Sequence, residues 1–334
     1  LWYASGQKLK EPSNEELELM ANLAITNNAK GLIWFSYVCE WTNIGAQYYA
    51  RGIMDNGGVP RDSNVYGQNK YSKVCAIDSM LERRGPYIMS FDPTLTKNCI
   101  YRLEEERNTF ITNTYFSNII TYKPGSGEPA CTSQNPGGNL PTGLTYECND
   151  DRYIQAATFR TSTSDIYKYF MIVNRRCSPY IDESSPDNRG GRRNIRVKFD
   201  LNSSDFVAHN NWEIIDLDSN KTVAKVDMGS GAIIDLGWYN PGQGKLYKIS
   251  PTVLNGGTLI ADETISGNVN CNGMIYSNGH NITISPNAVV TFSDSAGIEM
   301  NGGCFVSGVN ADNADAVTLT GKSLNTFWKG ITLI

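Results

Sequence analysis

The chain has 334 residues, with 29 Lys+Arg against 34 Asp+Glu and a formal net charge of −5, and a chain of this length supports two or three separate cores. Apolar residues make up 40% and charged residues 19%, which argues against a disordered chain or a charged helical bundle and favours an all-β or mixed secreted protein. A pI near 5.2 with scattered cations offers no basic stripe for a phosphate backbone, so nucleic acid is not an expected partner, whereas acidic, aromatic-rich surfaces suit neutral ligands such as sugars.

Residues 1–92 carry the helical signals. Ser13 followed by Glu16 forms a capping box behind Pro12, and Leu17, Met20, Leu23 and Ala24 recur on one face, predicting a helix that ends near Asn28. The continuous apolar run Lys30 to Tyr37 then has the pattern of a parallel strand buried on both faces. A second helix is expected over about 69–84, with Tyr71, Val74, Ile77 and Leu81 inward and Gly85-Pro86 as its stop. The longest apolar run, Gly31 to Cys39, is far short of the roughly 20 residues of a membrane-spanning helix, so no span is expected.

Residues 93–251 change to period-two strands, at Tyr167–Val173, Ile195–Phe199, Trp212–Leu217, Ala232–Leu236 and Lys245–Ile249, which reads as an antiparallel β-sandwich. Pro124–Thr142 and Ser178–Arg193 read as long loops in need of a staple. Residues 252–334 form a third texture. Short β pieces such as Ile282/Ile284, Val290/Phe292 and Val317/Leu319 alternate with Asn255-Gly256, Asn272-Gly273, Asn278-Gly279 and Asn301-Gly302. This predicts rungs of a parallel β-helix or solenoid, with a further antiparallel sandwich as the alternative. The start at Leu1-Trp2-Tyr3 and the finish on the apolar strand Gly330–Ile334 lead us to expect a segment of a larger polypeptide, with its upstream and downstream parts as partners.

The eight cysteines include no C-x-x-C pair and the histidines are two, so no metal site is expected. Disulfides in an oxidising compartment are the first reading and buried free thiols the second. Loop logic favours Cys131 with Cys148, equivalent rung positions favour Cys271 with Cys304, and Cys99 with Cys177 would link the sandwich. At the tip of the strand ending at Tyr37, the residues Trp34, Tyr37, Glu40 and Trp41 combine aromatic faces with a carboxylate, as a sugar site would; packing of a barrel layer is the competing account. A pair of catalytic carboxylates cannot be placed. Glu15, Glu16 and Glu18 suit the first turns of a helix, and Glu104, Glu105 and Glu106 suit a solvated run. His209 and His280 suit turns, and no phosphate or dinucleotide loop occurs, so no cofactor is expected.

Residues 12–37, with Asn27-Asn28-Ala29-Lys30-Gly31 leading into an aromatic strand, together with Ala50–Gly58 and Leu81–Tyr87, resemble the last helix-and-strand units of (β/α)8 glycoside hydrolases of secreted bacterial proteins. Tyr169–Arg175 and Asp235–Ile249 are similar to strands of the β-sandwich into which such enzymes continue. The resemblance implies a mixed α/β plus all-β protein: the end of a barrel, a β-sandwich, then the start of a parallel β-helix. It also implies a carbohydrate-acting protein, secreted or on the bacterial cell surface, that binds a polysaccharide or oligosaccharide, with its catalytic carboxylates upstream of Leu1. The tail looks like solenoids of proteins exported by the type nine secretion route, which implies contact with surface assembly or secretion machinery. The rival expectation is a structural or adhesive scaffold with a degenerate barrel.

Overall fold

The computed structural model describes residues 12–34, 53–55, 57–60, 64, 67–100, 115–124, 144–146, 154–163, 166–177, 191–199, 206, 209–227, 233–307, 317–322 and 328–334. Within these the protein is mostly strand, in antiparallel and parallel sheets, with few helices.

Helix α1 (Asn14–Thr26) starts at the expected capping box: Ser13 Oγ accepts from Glu16 N at 3.2 Å and Glu16 Oε2 accepts from Ser13 N at 2.9 Å. Its buried face is Leu17, Ala21, Asn22, Ile25 and Thr26, rotated from the apolar count, while Met20 is 52% exposed. The rotation has a polar cause, because Asn22 serves a buried hydrogen-bond network described below. Helix α2 (Lys70–Ser90) does not stop at Gly85-Pro86 but runs through Pro86. Its buried stripe Val74, Ile77, Met80, Arg84 and Ile88 continues beyond the proline, and burial of that last turn against the sheet outweighs the missing N–H. Lys30 Nζ closes the end, donating to the carbonyls of Ile88 and Phe91 at 2.6 Å each.

Between the helices, the described part of the run expected to be a doubly buried strand, residues 31–34, is not strand, and Ile33 is 96% exposed. The sheet that the helices cover is instead antiparallel. It has six strands in the order β1 (Lys97–Ile100), β4 (Ile154–Phe159), β5 (Lys168–Asn174), β10 (Gly244–Pro251), β7 (Asn211–Asp216) and β8 (Lys221–Asp227). A second antiparallel sheet orders β3 (Leu144–Tyr146), β2 (Phe116–Pro124), β6 (Arg193–Phe199) and β9 (Ile233–Tyr239).

Period two sorts the side chains of the larger sheet onto two cores. Ile154, Ala156, Phe170, Ile172, Tyr247 and Ile249 face the smaller sheet, where Phe170 meets Phe116, Phe199 and Tyr247. Ala157, Phe159, Tyr169, Met171, Val173 and Leu246 face α1 and α2. Both faces are therefore covered, which explains the unbroken apolar run of β5.

After Pro251 a short helix, α3 (Thr252–Asn255), leads into three parallel sheets that the chain visits in rotation. One stacks β11 (Gly257–Thr258), β14 (Met274–Tyr276), β17 (Gly297–Met300) and β20 (Gly330–Leu333). The second stacks β12 (Glu263–Ile265), β15 (Ile282–Ile284) and β18 (Phe305–Ser307), and the third β13 (Asn268–Cys271), β16 (Val289–Phe292) and β19 (Thr318–Gly321). Inward residues align in columns: Ile275 over Ile298, Val269 over Val290, Ile265 over Ile284. Successive turns touch backbone to backbone at their corners. A Cβ on Gly303 (φ +76°) would lie 2.2 Å from the carbonyl oxygen of His280, so only glycine fits.

Candidate functional site

The four-stranded sheet presents a polar outer face. On β6 the alternation Asn194, Arg196, Lys198 points away from the core residues Ile195 and Val197, and on β9 Asp235 does so beside Leu236. Asp235 gathers these groups. Its Oδ1 accepts from Asn194 Nδ2 at 2.9 Å and from the backbone N–H of Gly237 at 2.7 Å, and its Oδ2 lies 3.2 Å from Arg196 Nη2. Arg196 Nε also donates to Asn194 Oδ1 at 3.3 Å. Register places Trp238 opposite Asn194, across a bulge between Asn194 and Arg196, and the Arg192 guanidinium stacks 4.7 Å from the Trp238 ring centre. The array joins a half-buried indole to planar amide, carboxylate and guanidinium groups, with Arg192 and Asp235 exposed. Planar polar groups of this kind bind vicinal hydroxyls in pairs, and an indole offers a flat apolar surface to the C–H face of a sugar ring.

A different set of polar groups holds the antiparallel and parallel parts together. Glu263, on β12, is 1% exposed, and its carboxylate accepts three N–H groups: Asn211 N at 2.9 Å, Asn211 Nδ2 at 2.7 Å and His209 Nδ1 at 2.9 Å. Asn211 Oδ1 in turn accepts from Ile260 N and Ala261 N, and Trp212 Nε1 donates to the His209 carbonyl at 2.7 Å. His209 is thus a buried joint rather than a turn residue. A buried carboxylate with a full set of donors is stable, whereas one deprived of any donor is costly.

Close to this joint, Glu213 on β7 stands directly opposite Lys225 on β8, with Glu213 Oε1 at 3.8 Å from Lys225 Nζ. Lys225 Nζ also donates to the Thr258 carbonyl at 3.1 Å. The Asn255 carboxamide draws the same Glu213 carboxyl downward and donates from Nδ2 to Ser250 Oγ at 3.0 Å. Burial pushes the Glu213 carboxyl above the usual carboxylate range, with Lys225 pulling in the opposite direction.

Of the residues expected to line a sugar site, Trp34 is half-buried at the edge of the helix-side core, its Nε1 donating to Asp78 Oδ1 at 2.9 Å. Tyr37, Glu40 and Trp41 lie outside the described residues, as do Cys131, Cys148 and the Glu104 to Glu106 run. The Cys99 side chain also lies outside them, so the bond expected to Cys177 is not addressed; the Cys177 carbonyl accepts from Ser13 Oγ at 3.4 Å. The bond expected between Cys271 and Cys304 does not form: both are free thiols, as is Cys75. Register explains the error, because Cys271 stacks under Phe292 in the third sheet while Cys304 leads into β18 of the second. Burial pushes the Cys271 thiol up to about 12. Glu15 hydrogen bonds to Gln68 Nε2 and Glu18 pairs with Lys73, both on structural duty.

Sequence reasoning missed the outer face of the smaller sheet. The available signal was the polar alternation Asn194, Arg196, Lys198 in a strand recognised only for its apolar half. Among the described residues no group of three or more His, Cys, Asp or Glu is placed to hold a metal ion, and no helix is long and apolar enough to cross a membrane. Comparison with protein-family models, with curated proteins and with solved structures finds no match.

Proposed function

We propose that the chain is a rigid carbohydrate-binding scaffold of a secreted or bacterial cell-surface protein. In this reading the two antiparallel sheets are a β-sandwich that carries the binding face, and the three parallel sheets are a β-helix that acts as its stalk. The observation that carries the reading is the array on the outer face, where Trp238 lies opposite Asn194, and Asn194, Asp235 and Arg196 are fixed by mutual hydrogen bonds and so pre-organised. The rigid Glu263 joint supports the scaffold role, since it fastens sandwich to stalk through buried groups. Glycan-array binding followed by titration tests it: Trp238→Ala should weaken oligosaccharide binding by about 1 to 3 kcal/mol. Equal binding by the variant and the unaltered chain overturns the assignment of this face.

A second reading, a glycoside hydrolase-like protein ending a (β/α)8 barrel, is favoured by Trp34, whose indole is held by Asp78 and which precedes Tyr37, Glu40 and Trp41 in the sequence. Turnover of a glycoside panel that falls in Glu40→Gln would establish it in place of the scaffold.

A further inference from the structure

We propose that Lys225, Asn255 and Glu213 form a self-processing cross-link site, at which the lysine amine condenses with the asparagine carboxamide to an intramolecular amide bond. Three elements bring the groups together. Glu213 and Lys225 are register partners on β7 and β8, so their side chains rise from directly opposed positions. On the other side of β7, Ser250 of β10 is the register partner of Glu213, and Asn255, five residues on, is held by Ser250 Oγ. A single carboxylate therefore neighbours both reactants, 3.8 Å from the amine and directly opposite the serine that holds the amide. Gly257 passes over the site: a Cβ there would sit 3.3 Å from Glu213 Oε1 and 3.5 Å from Lys225 Nζ, so the absent side chain keeps the space between them open.

The chemistry uses only these groups. A proton moves from the Lys225 ammonium to the Glu213 carboxylate, leaving a neutral amine beside a neutral acid. The Nζ lone pair attacks Cγ of Asn255, and the Glu213 O–H bonds to Oδ1 as negative charge develops there. The tetrahedral centre collapses by breaking Cγ–Nδ2, and the departing nitrogen takes the amine's proton by relay through Glu213. The ammonia then accepts the proton that Glu213 holds and leaves as ammonium, which restores the carboxylate. One ammonium and one primary amide become one secondary amide and one ammonium, with no oxidant or co-reactant. Glu213 is 7% exposed, and the upward displacement of its carboxyl by burial favours the proton-bearing form that the step needs.

Intact mass and peptide mapping of the full chain test the site. The unaltered protein should be lighter than its sequence by one ammonia and yield, on proteolysis, a branched peptide joining the segments around Lys225 and Asn255. Lys225→Arg, which keeps the cation and its reach to the Thr258 carbonyl, should restore the sequence mass and lower the melting temperature, with an unchanged circular dichroism spectrum. Glu213→Gln should also restore the mass. An unaltered protein of full sequence mass overturns the proposal. So does an ammonia loss that persists in Lys225→Arg, which would identify a succinimide at Asn255-Gly256 instead of a cross-link.

Discussion

The antiparallel and parallel parts of this molecule solve the same problem, burying apolar strand faces, in opposite ways. In the antiparallel part, buried polar groups such as Arg84 and Asn22 tie together positions remote in sequence. Arg84 of α2 is 1% exposed and donates to Asp218 Oδ1 at 2.8 Å, to Asn22 Oδ1 at 3.1 Å and to the Gly244 carbonyl at 2.7 Å, so one side chain binds two helices and a hairpin. In the parallel part the polar contacts repeat from turn to turn: Asn281 donates from its backbone and Nδ2 to Asp262, and its Oδ1 accepts from Cys304 N in the next turn. The first region is one cooperative unit and the second a stack of neighbours.

The largest effect that separates them is expected from Phe170→Ala. Phe170 is fully buried and touches aromatic rings from both antiparallel sheets, so its loss should cost about 3 to 5 kcal/mol, and denaturant curves should show both sheets and both helices melting together. Sheet-by-sheet melting would break the comparison. The matching change in the stack, Ile298→Ala, should cost about 2 to 4 kcal/mol, with amide exchange rising only in β14, β17 and β20. Faster exchange in the six-stranded sheet would show that the parallel part is not modular.

How much of this the sequence discloses differs between the regions for the same reason. The stack is written locally: Asn-Gly pairs and short apolar pairs alternate along the sequence, and Ile282, Ile284, Val290 and Phe292 are buried in one core. The antiparallel part is written non-locally. The run 31–34 and the run 169–173 look alike as apolar strings, yet only the second is a strand with both faces covered, because its partners β4 and β10 and the helices supply what a local window cannot contain. The face of β6 and β9 was hidden likewise, since Asp235 meets Asn194 and Arg196 only after pairing across a bulge.

Smaller effects sharpen the contrast. Asn281→Ala removes one step of an exposed ladder and should cost about 0.5 to 1.5 kcal/mol, read as faster exchange at Cys304 N and little change in the melting of the antiparallel part. The smallest effect concerns pH. The folded state raises the Glu213 pKa, so this group contributes its stability fully below its ordinary range and loses it as pH rises through the raised value. Glu213→Gln should flatten that part of the stability curve; a slope unchanged by the substitution would assign it to other carboxylates.

The seat of α1 has a consequence for the order in which the protein is made. Asn22 Nδ2 donates to the Gly242 carbonyl at 2.9 Å, a contact that spans 220 residues. Gly242 (φ +74°) lies so close to the helix that a Cβ would be 2.2 Å from the Glu15 carbonyl oxygen. The helix therefore leaves the ribosome long before its seat exists. At roughly 5 to 20 residues per second, the interval is on the order of 10 to 40 s. For that time the face bearing Leu17, Ala21 and Ile25 lacks the β10 side of its seat, and a chaperone that shields short apolar helices has its window of action then.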